Sequence, residues 1–226
     1  MTAPEGDLPP ILPLLLPMGD SAILVRFGAS LSEPANRAAT AFATSLRREP
    51  IAGIVEIVPN LVSVLLRYDP LADAARYIEG EIRLRLFGGV AESAEAGASH
   101  VVGVSYGGED GPDLDAVAGA LGMSVANFIA RHDASQLRVL ATGFAPGFVY
   151  CGFHPPELHL PRRQDVRPTV PIGSVLFAAG QTAVTSTLVP TGWHVIGRTT
   201  LRNFDPARDP PTTLRAGDAI RFEAVR

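Results

Sequence analysis

Two patterns of apolar spacing follow one another along the chain. Met18-Gly19-Asp20 signals a turn, and Ser21 to Phe27 reads as a strand. Ser32 is placed to cap a helix with Pro34 in its first turn, and Ala35 to Arg48 carries helical spacing up to the breakers Pro50 and Gly53. Ile54 to Val58 and Leu61 to Tyr68 are β-rich runs split by Pro59-Asn60, which predicts an antiparallel pair. Asp69-Pro70 stops the second run. Ala72 to Leu86 returns to helical spacing, and Gly88-Gly89 closes it. The order β-α-β-β-α predicts a small α+β unit with helices on one face of an antiparallel sheet.

The second pattern begins after Val90 to Ser99, a small, polar stretch that reads as a linker. His100 to Ser105 is the next strand. Asp113 is a candidate N-cap for a helix over Leu114 to Leu121, ended by Gly122, and Ser124 for a second short helix through Arg131. Leu137 to Thr142 reads as a strand. It leads into Ala141 to Thr200, where Gly and Pro are too dense for a long helix and imply short strands joined by tight turns. The turn Ala216-Gly217-Asp218 precedes a last strand, Ala219 to Ala224. Many short strands with two short helices predict a closed or nearly closed β-barrel. The expected organisation is a flexible tail over 1–17, an α+β domain over 18–89, a linker over 90–99 and a barrel domain over 100–226.

Composition narrows the function classes. The chain has 226 residues, enough for one large or two small domains, and is 46% hydrophobic and 19% charged. A net charge of −4 gives no basic surface for nucleic acid. All 19 basic residues are Arg, which removes any Walker-type or Schiff-base lysine. One Cys excludes an internal disulfide framework and a Cys-rich zinc site and fits a reducing compartment. Leu8 to Pro17 is apolar, but four prolines break it and no basic flank precedes it. It reads as a tail, neither a signal peptide nor a membrane span, and the expected location is the cytoplasm.

Ala141 to Thr200 concentrates the unusual chemistry: the one Trp, the one Cys, three of five His and four Arg. Gly143-Phe144-Ala145-Pro146-Gly147-Phe148-Val149-Tyr150 resembles a signature of the KipI / allophanate hydrolase subunit 1 family, which includes the B subunits of 5-oxoprolinase. The resemblance continues through Pro161-Arg162-Arg163, Val170 to Val175, Gly180-Gln181-Thr182, Gly192-Trp193, Ile196 to Thr199 and Ala216-Gly217-Asp218. Tyr106 to Glu109 with Gly111 to Leu114, and Gly19-Asp20, Val58-Pro59 and Tyr68-Asp69-Pro70, extend it to nearly the whole chain from Met18. It departs where Ala183-Val184-Thr185-Ser186 replaces Gly, an aliphatic residue, Tyr and Pro, and where Thr191, Val166 and Cys151 replace a Gly, a Pro and a Leu.

The resemblance implies a ferredoxin-like N-terminal domain followed by a mainly β, cyclophilin-like barrel. It implies a KipA / allophanate hydrolase subunit 2-type partner and a LamB/YcsF-type third component. Such a heteromer resembles an ATP-dependent 5-oxoprolinase, an amidohydrolase that opens 5-oxoproline to glutamate. ATP, with Mg, would then bind at a site completed by the partner, and this chain alone would be inactive. Two other readings are a protein that inhibits a sensor histidine kinase, as the family's namesake does, and a carboxyltransferase-type component acting on urea or another amide.

The candidate residues follow. Arg162, Arg163, Arg167 and Arg198 can each grip a carboxylate or phosphate through two parallel hydrogen bonds, with Arg162 and Arg198 as the catalytic candidates. The alternative is that some of them hold loops by pairing with Asp165 and Glu157. Pro146 and Gly147 shape a turn, and Phe144, Phe148 and Tyr150 line a pocket wall or pack a barrel corner. Gly173, Ser174, Gln181 and Thr182 offer hydrogen bonds to a lactam or phosphate; no GxSxG elbow frames Ser174 as a nucleophile. Trp193 either stacks on a ligand ring or packs a core or subunit interface. His132 is an acid–base candidate or a helix-end group. His154 and His159 are split by two prolines and do not form a zinc motif, so no metal ligand is expected within the chain.

Overall fold

The computed structural model describes residues 13–72, 75–89 and 97–225, which fall into two compact units. The first contains β1 (Leu14–Pro17), β2 (Ala22–Arg26), α1 (Glu33–Arg48), β3 (Ile54–Pro59), β4 (Ser63–Tyr68) and α2 (Ala75–Phe87). Its sheet runs β1-β2-β4-β3, and every neighbouring pair is antiparallel. Leu14–Pro17, read from sequence as tail, is instead an edge strand: it pairs residue for residue with Pro17↔Ile23 through Leu14↔Arg26. Proline is tolerated at such an edge because a missing N–H leaves no ladder bond broken in the centre.

One sheet face is apolar. Ile23 and Val25 of β2 and Phe27 just after it alternate on this face, as do Val64, Leu66 and Tyr68 of β4. Both helices bury their stripes on this face, with Ala35, Ala39, Phe42, Ala43 and Leu46 from α1 and Ile78 and Ile82 from α2. The Ser32 hydroxyl accepts from the Ala35 N–H, and Pro34 sits in the first turn, so the α1 cap is the expected one.

The second unit contains β5 (Ser99–Tyr106), α3 (Leu114–Ala120), α4 (Val125–Ala134), β6 (Leu137–Thr142), β7 (Val149–Gly152), β8 (Arg167–Val170), β9 (Ser174–Ala178), β10 (Gln181–Val184), β11 (Val189–Thr191), β12 (His194–Arg198) and β13 (Ala219–Ala224). Most of the expected linker lies outside the described residues, and Ser99, its last residue, already opens β5. Seven strands close a barrel in the order β10-β7-β6-β13-β5-β12-β9, while β8 and β11 form a separate two-stranded ribbon. β13 runs parallel to β5 from Ala219↔Ser99 to Ala224↔Val104. The Ala216-Gly217-Asp218 turn secures this pair. The Asp218 carboxylate accepts from the Arg215 N–H (2.9 Å) and the Ala98 N–H (3.1 Å) and lies 3.1 Å from His100 Nε2.

Strand alternation sorts the barrel residues. Val139, Val149, Cys151, Val175, Phe177, Val184, Ile196 and Phe222 point inward and meet Phe128 of α4. Leu176, Ala178, Ala183 and Val195 point outward and are covered by Val170 and Val189 of the ribbon together with Phe148 and Trp193. One patch of barrel wall is therefore apolar on both faces, as its continuous apolar runs require.

Asp113 stands at the first residue before α3 but makes no side-chain cap hydrogen bond. Its carboxylate is drawn elsewhere, as described below. Among the described residues no helix is long and apolar enough to cross a membrane.

Candidate functional site

The residues singled out in the sequence separate into an outer aromatic row, an inner polar chain and two ionic clamps. The aromatic row is continuous. Phe144 meets Phe148 at 5.4 Å between ring centroids, Phe148 meets Tyr150 at 4.8 Å, and Tyr150 meets Trp193 at 6.0 Å. The Arg162 guanidinium carbon lies 5.6 Å from the Trp193 ring centroid, within cation–π range. Burial raises the Tyr150 phenol above its ordinary value, and the positive Arg162 pulls it partly back.

The loop between β6 and β7 presents this row. The Gly143 N–H donates to the Phe148 carbonyl (3.0 Å), and the Phe148 N–H to the Ala145 carbonyl (3.0 Å), which closes the loop on itself. The Gly147 carbonyl accepts from Ser186 Oγ (3.0 Å) and Asn203 Nδ2 (3.1 Å). A Cβ on Gly147 would stand 2.5 Å from the Phe204 Cβ, and its φ is +68°, so glycine is required there. Phe144 has φ +76° and is 69% exposed. A large apolar residue held in left-handed backbone and turned to solvent marks a position shaped for something other than stability.

Arg162 is exposed, and among the described residues no carboxylate pairs with it. The other three candidates are paired. Asp113 Oδ1 accepts from Arg163 Nη1 (2.9 Å) and Arg167 Nη2 (2.5 Å), and Oδ2 accepts from the Val195 N–H (2.8 Å). This clamp ties the start of α3 to β12, to the loop before β8 and to the first residue of β8. It explains why Asp113 caps nothing: two guanidinium groups and a buried amide compete for the same carboxylate. Arg198 Nε stands 3.2 Å from Asp110 Oδ1. The expected acidic partners Asp165 and Glu157 are not those used: Glu157 pairs with Arg131 at 3.0 Å.

Gly173 and Ser174 hold the turn into β9. A Cβ on Gly173 would stand 2.3 Å from the Thr199 carbonyl. Ser174 Oγ donates to the Pro171 carbonyl (2.8 Å), and Thr185 Oγ1 both accepts from the Ser174 N–H (3.0 Å) and donates to Pro171 (2.9 Å). The hydroxyl at Thr185 is thus a brace of the β9 turn. Pro146 lies in the turn of the aromatic loop.

His132 and Thr182 lie inside the barrel, on the opposite side of the wall from the aromatic row. Tyr106 donates to Asp133 Oδ1 (2.8 Å), so its oxygen is left to accept from His132 Nδ1 (2.7 Å). His132 Nε2 then accepts from the Thr182 hydroxyl (2.8 Å), whose oxygen accepts from His154 Nε2 (2.8 Å); His154 Nδ1 faces Ser135 Oγ at 3.0 Å. In this direction both imidazoles are neutral, and His154 Nδ1 competes with the Arg131 carbonyl (2.9 Å) for the single Ser135 hydroxyl proton. Burial, and after it the neighbouring His154, holds His132 well below the usual histidine range, and burial lowers His154 to about 4. Burial also raises the Tyr106 phenol, with its bond to Asp133 adding to the shift, and keeps the Cys151 thiol protonated.

Sequence reasoning missed three residues of this arrangement. Asp113 carried a signal, being charged and next to a helix, but the signal pointed to a cap. Asn203, buried, accepts from the Thr213 and Leu214 N–H groups (3.1 and 2.7 Å) while donating to Gly147, and no local pattern announces it. Thr185 drew notice only as a departure from the family pattern.

The geometry can be set beside known proteins. A family model described as carboxyltransferase domain, subdomain C and D, matches residues 13–214. The chain is 35% identical over 219 residues to the 5-oxoprolinase B subunit of Bacillus subtilis (strain 168), covering 92% of this chain and 91% of that protein. It is 41% identical over 172 residues to the 5-oxoprolinase B subunit of Escherichia coli O157:H7, covering 75% and 77%. The solved structure of TTHA0988 superposes with a TM-score of 0.78 at 36% identity over 91% of this chain, which spans 40% of that longer protein. Kluyveromyces lactis urea carboxylase, at 15% identity and a TM-score of 0.71 over 99% of this chain and 24% of its own, shares the fold. With its motifs, its barrel and these relatives in agreement, the chain belongs to the carboxyltransferase-domain family of subdomains C and D, together with the B subunits of 5-oxoprolinase.

Proposed function

We propose that this chain is the B-type component of an ATP-dependent 5-oxoprolinase, a heteromeric amidohydrolase that converts 5-oxoproline, ATP and water to glutamate, ADP and phosphate. The carrying observation is the identity of 32–41% to three B subunits of 5-oxoprolinase. The geometry supports it through an aromatic row, exposed at Phe144, partly exposed at Tyr150 and buried at Phe148 and Trp193, that ends in an acid-free Arg162. In this reading the ring of a planar substrate lies against Tyr150 and Trp193, and Arg162 grips its carboxylate or a transferred phosphate in the partly desolvated setting where charge-assisted hydrogen bonds are strongest.

ATP would activate the lactam oxygen by phosphorylation; one water then adds to the ring carbon and the C–N bond opens, freeing the amine and leaving an acyl phosphate, which a second water hydrolyses to glutamate and phosphate. Arg163, Arg167 and Arg198 already have carboxylate partners, so Arg162 is the guanidinium this chain offers most readily. Among the described residues no group of three or more His, Cys, Asp or Glu is arranged so that it could hold a metal ion. The rest of the ATP–Mg site is assigned to the KipA-type partner, which makes this a shared site and the isolated chain inactive. Phe144, exposed beside the row, is the natural contact for that partner.

The test is 5-oxoproline-dependent ATP hydrolysis by this chain assembled with its KipA-type and LamB/YcsF-type partners. Arg162→Ala is expected to lower kcat/KM by at least about a hundredfold without loss of assembly, the scale on which a lost transition-state contact is felt. A well-assembled complex with no such activity would remove 5-oxoproline as the substrate and leave the row as a protein-docking surface.

A further inference from the structure

One buried polar group on the outer wall has no partner. Gln181 is 7% exposed, and its Oε1 has no hydrogen bond among the described residues. An orphan amide oxygen of this kind is costly, and native proteins leave few of them. Strand alternation tells which way it faces. Thr182 and Val184 point into the barrel, so Gln181 and Ala183 point outward. Ala183 is directly opposite Tyr150, which places Gln181 diagonally next to Tyr150 on the same surface as Trp193. Its neighbours across the sheet are Ala178 on β9 and Gly152 on β7, and the buried Leu140 side chain reaches over Gly152: a Cβ there would stand 2.8 Å from Leu140 Cδ1 and 3.6 Å from Gln181 Cγ. The carboxamide therefore stands buried beside Leu140 and diagonal to Tyr150, with its oxygen unpaired.

A carboxamide presents one acceptor and one donor side by side, whichever way its end is turned. That pair matches an amide whose N–H and C=O lie on one edge. A linear secondary amide holds them on opposite edges, because its cis form is strongly disfavoured, whereas a five-membered ring enforces cis. We infer that Gln181 and Arg162 together select a small lactam that carries a carboxylate: Gln181 pairs with the lactam N–H and C=O, and Arg162 takes the carboxylate across the Trp193 ring. Gln181 is thereby the residue that distinguishes a cyclic from a linear secondary amide. This inference rests on the 5-oxoprolinase reading and deepens it.

The experiment compares the assembled complex with its Gln181→Leu form, reading KM for 5-oxoproline in ATP hydrolysis and the melting temperature. KM is expected to rise at least about tenfold, as for the loss of a buried hydrogen-bonded pair, and discrimination against N-methyl-5-oxoproline, which lacks the N–H, to disappear. The melting temperature is expected to hold or rise, because leucine removes an unsatisfied buried amide. An unchanged KM, with or without a lower melting temperature, overturns the inference and leaves the 5-oxoprolinase reading standing. If the wild-type complex hydrolyses no ATP with 5-oxoproline, that reading fails, and calorimetric titration of 5-oxoproline into the same complex decides this one. Binding that vanishes in Gln181→Leu sustains it; no binding to the wild type overturns it.

Discussion

Asp113 carries more than its place in the sequence announces. One carboxylate holds Arg163, Arg167 and the Val195 N–H, so it fixes the segment on which Arg162 stands. Asp113→Ala leaves two half-buried guanidinium groups and an amide unpaired, and is expected to lower the unfolding free energy by about 3 kcal/mol. Urea unfolding with an unchanged slope and a lower midpoint would show it; an unchanged midpoint would mean that water replaces the carboxylate at little cost. The four Arg were visible as a cluster in the sequence. Which of them is free was not, because that depends on Asp110 and Asp113, which arrive from a loop far upstream in the chain.

At the scale of elements, the loop from Gly143 to Phe148 is held by its own backbone bonds, by Ser186 and by Asn203. Phe144 is kept in left-handed backbone at its tip. Phe144→Gly relieves about 1 kcal/mol of strain and returns a similar amount as backbone entropy, so stability is expected to change by less than about 1 kcal/mol. Activity of the assembled complex is expected to fall, since the exposed ring is gone. A large drop in melting temperature would instead make Phe144 a packing residue. The Gly-Pro signature was legible because such a loop needs glycine at left-handed positions. The brace at Asn203 was not, because a buried Asn has no local periodicity.

For the whole molecule, the barrel interior carries a pH limit. His132 and His154 are neutral in the fold, and each would protonate near 6.5 in the unfolded chain. Their folded values are lowered, so the stability they contribute is whole above pH 6.5 and is lost as pH falls towards their folded values, about 4 for His154. Between pH 7 and pH 5 the unfolding free energy is expected to drop by about 2 kcal/mol for each histidine. His154→Gln should remove its share of that slope. A midpoint of denaturation that is flat across this range would place a charge in the barrel after all.

The strands, the helices and the α+β-then-barrel order were legible in the sequence because each follows from local spacing: period two, period three to four, and Gly or Pro at the breaks. The family was legible because its motifs are long and occur in order. Local spacing could not distinguish the two faces of a barrel wall that is apolar on both. Only closure of the barrel put Thr182 inside with His132 and Gln181 outside with Tyr150, although Gln181 and Thr182 are adjacent. Sheet pairing likewise turned Leu14–Pro17 from a tail into an edge strand, because β2 had an unpaired side to offer. Long-range pairing decides which polar group is satisfied and which is left without a partner, and no window of neighbouring residues contains that information.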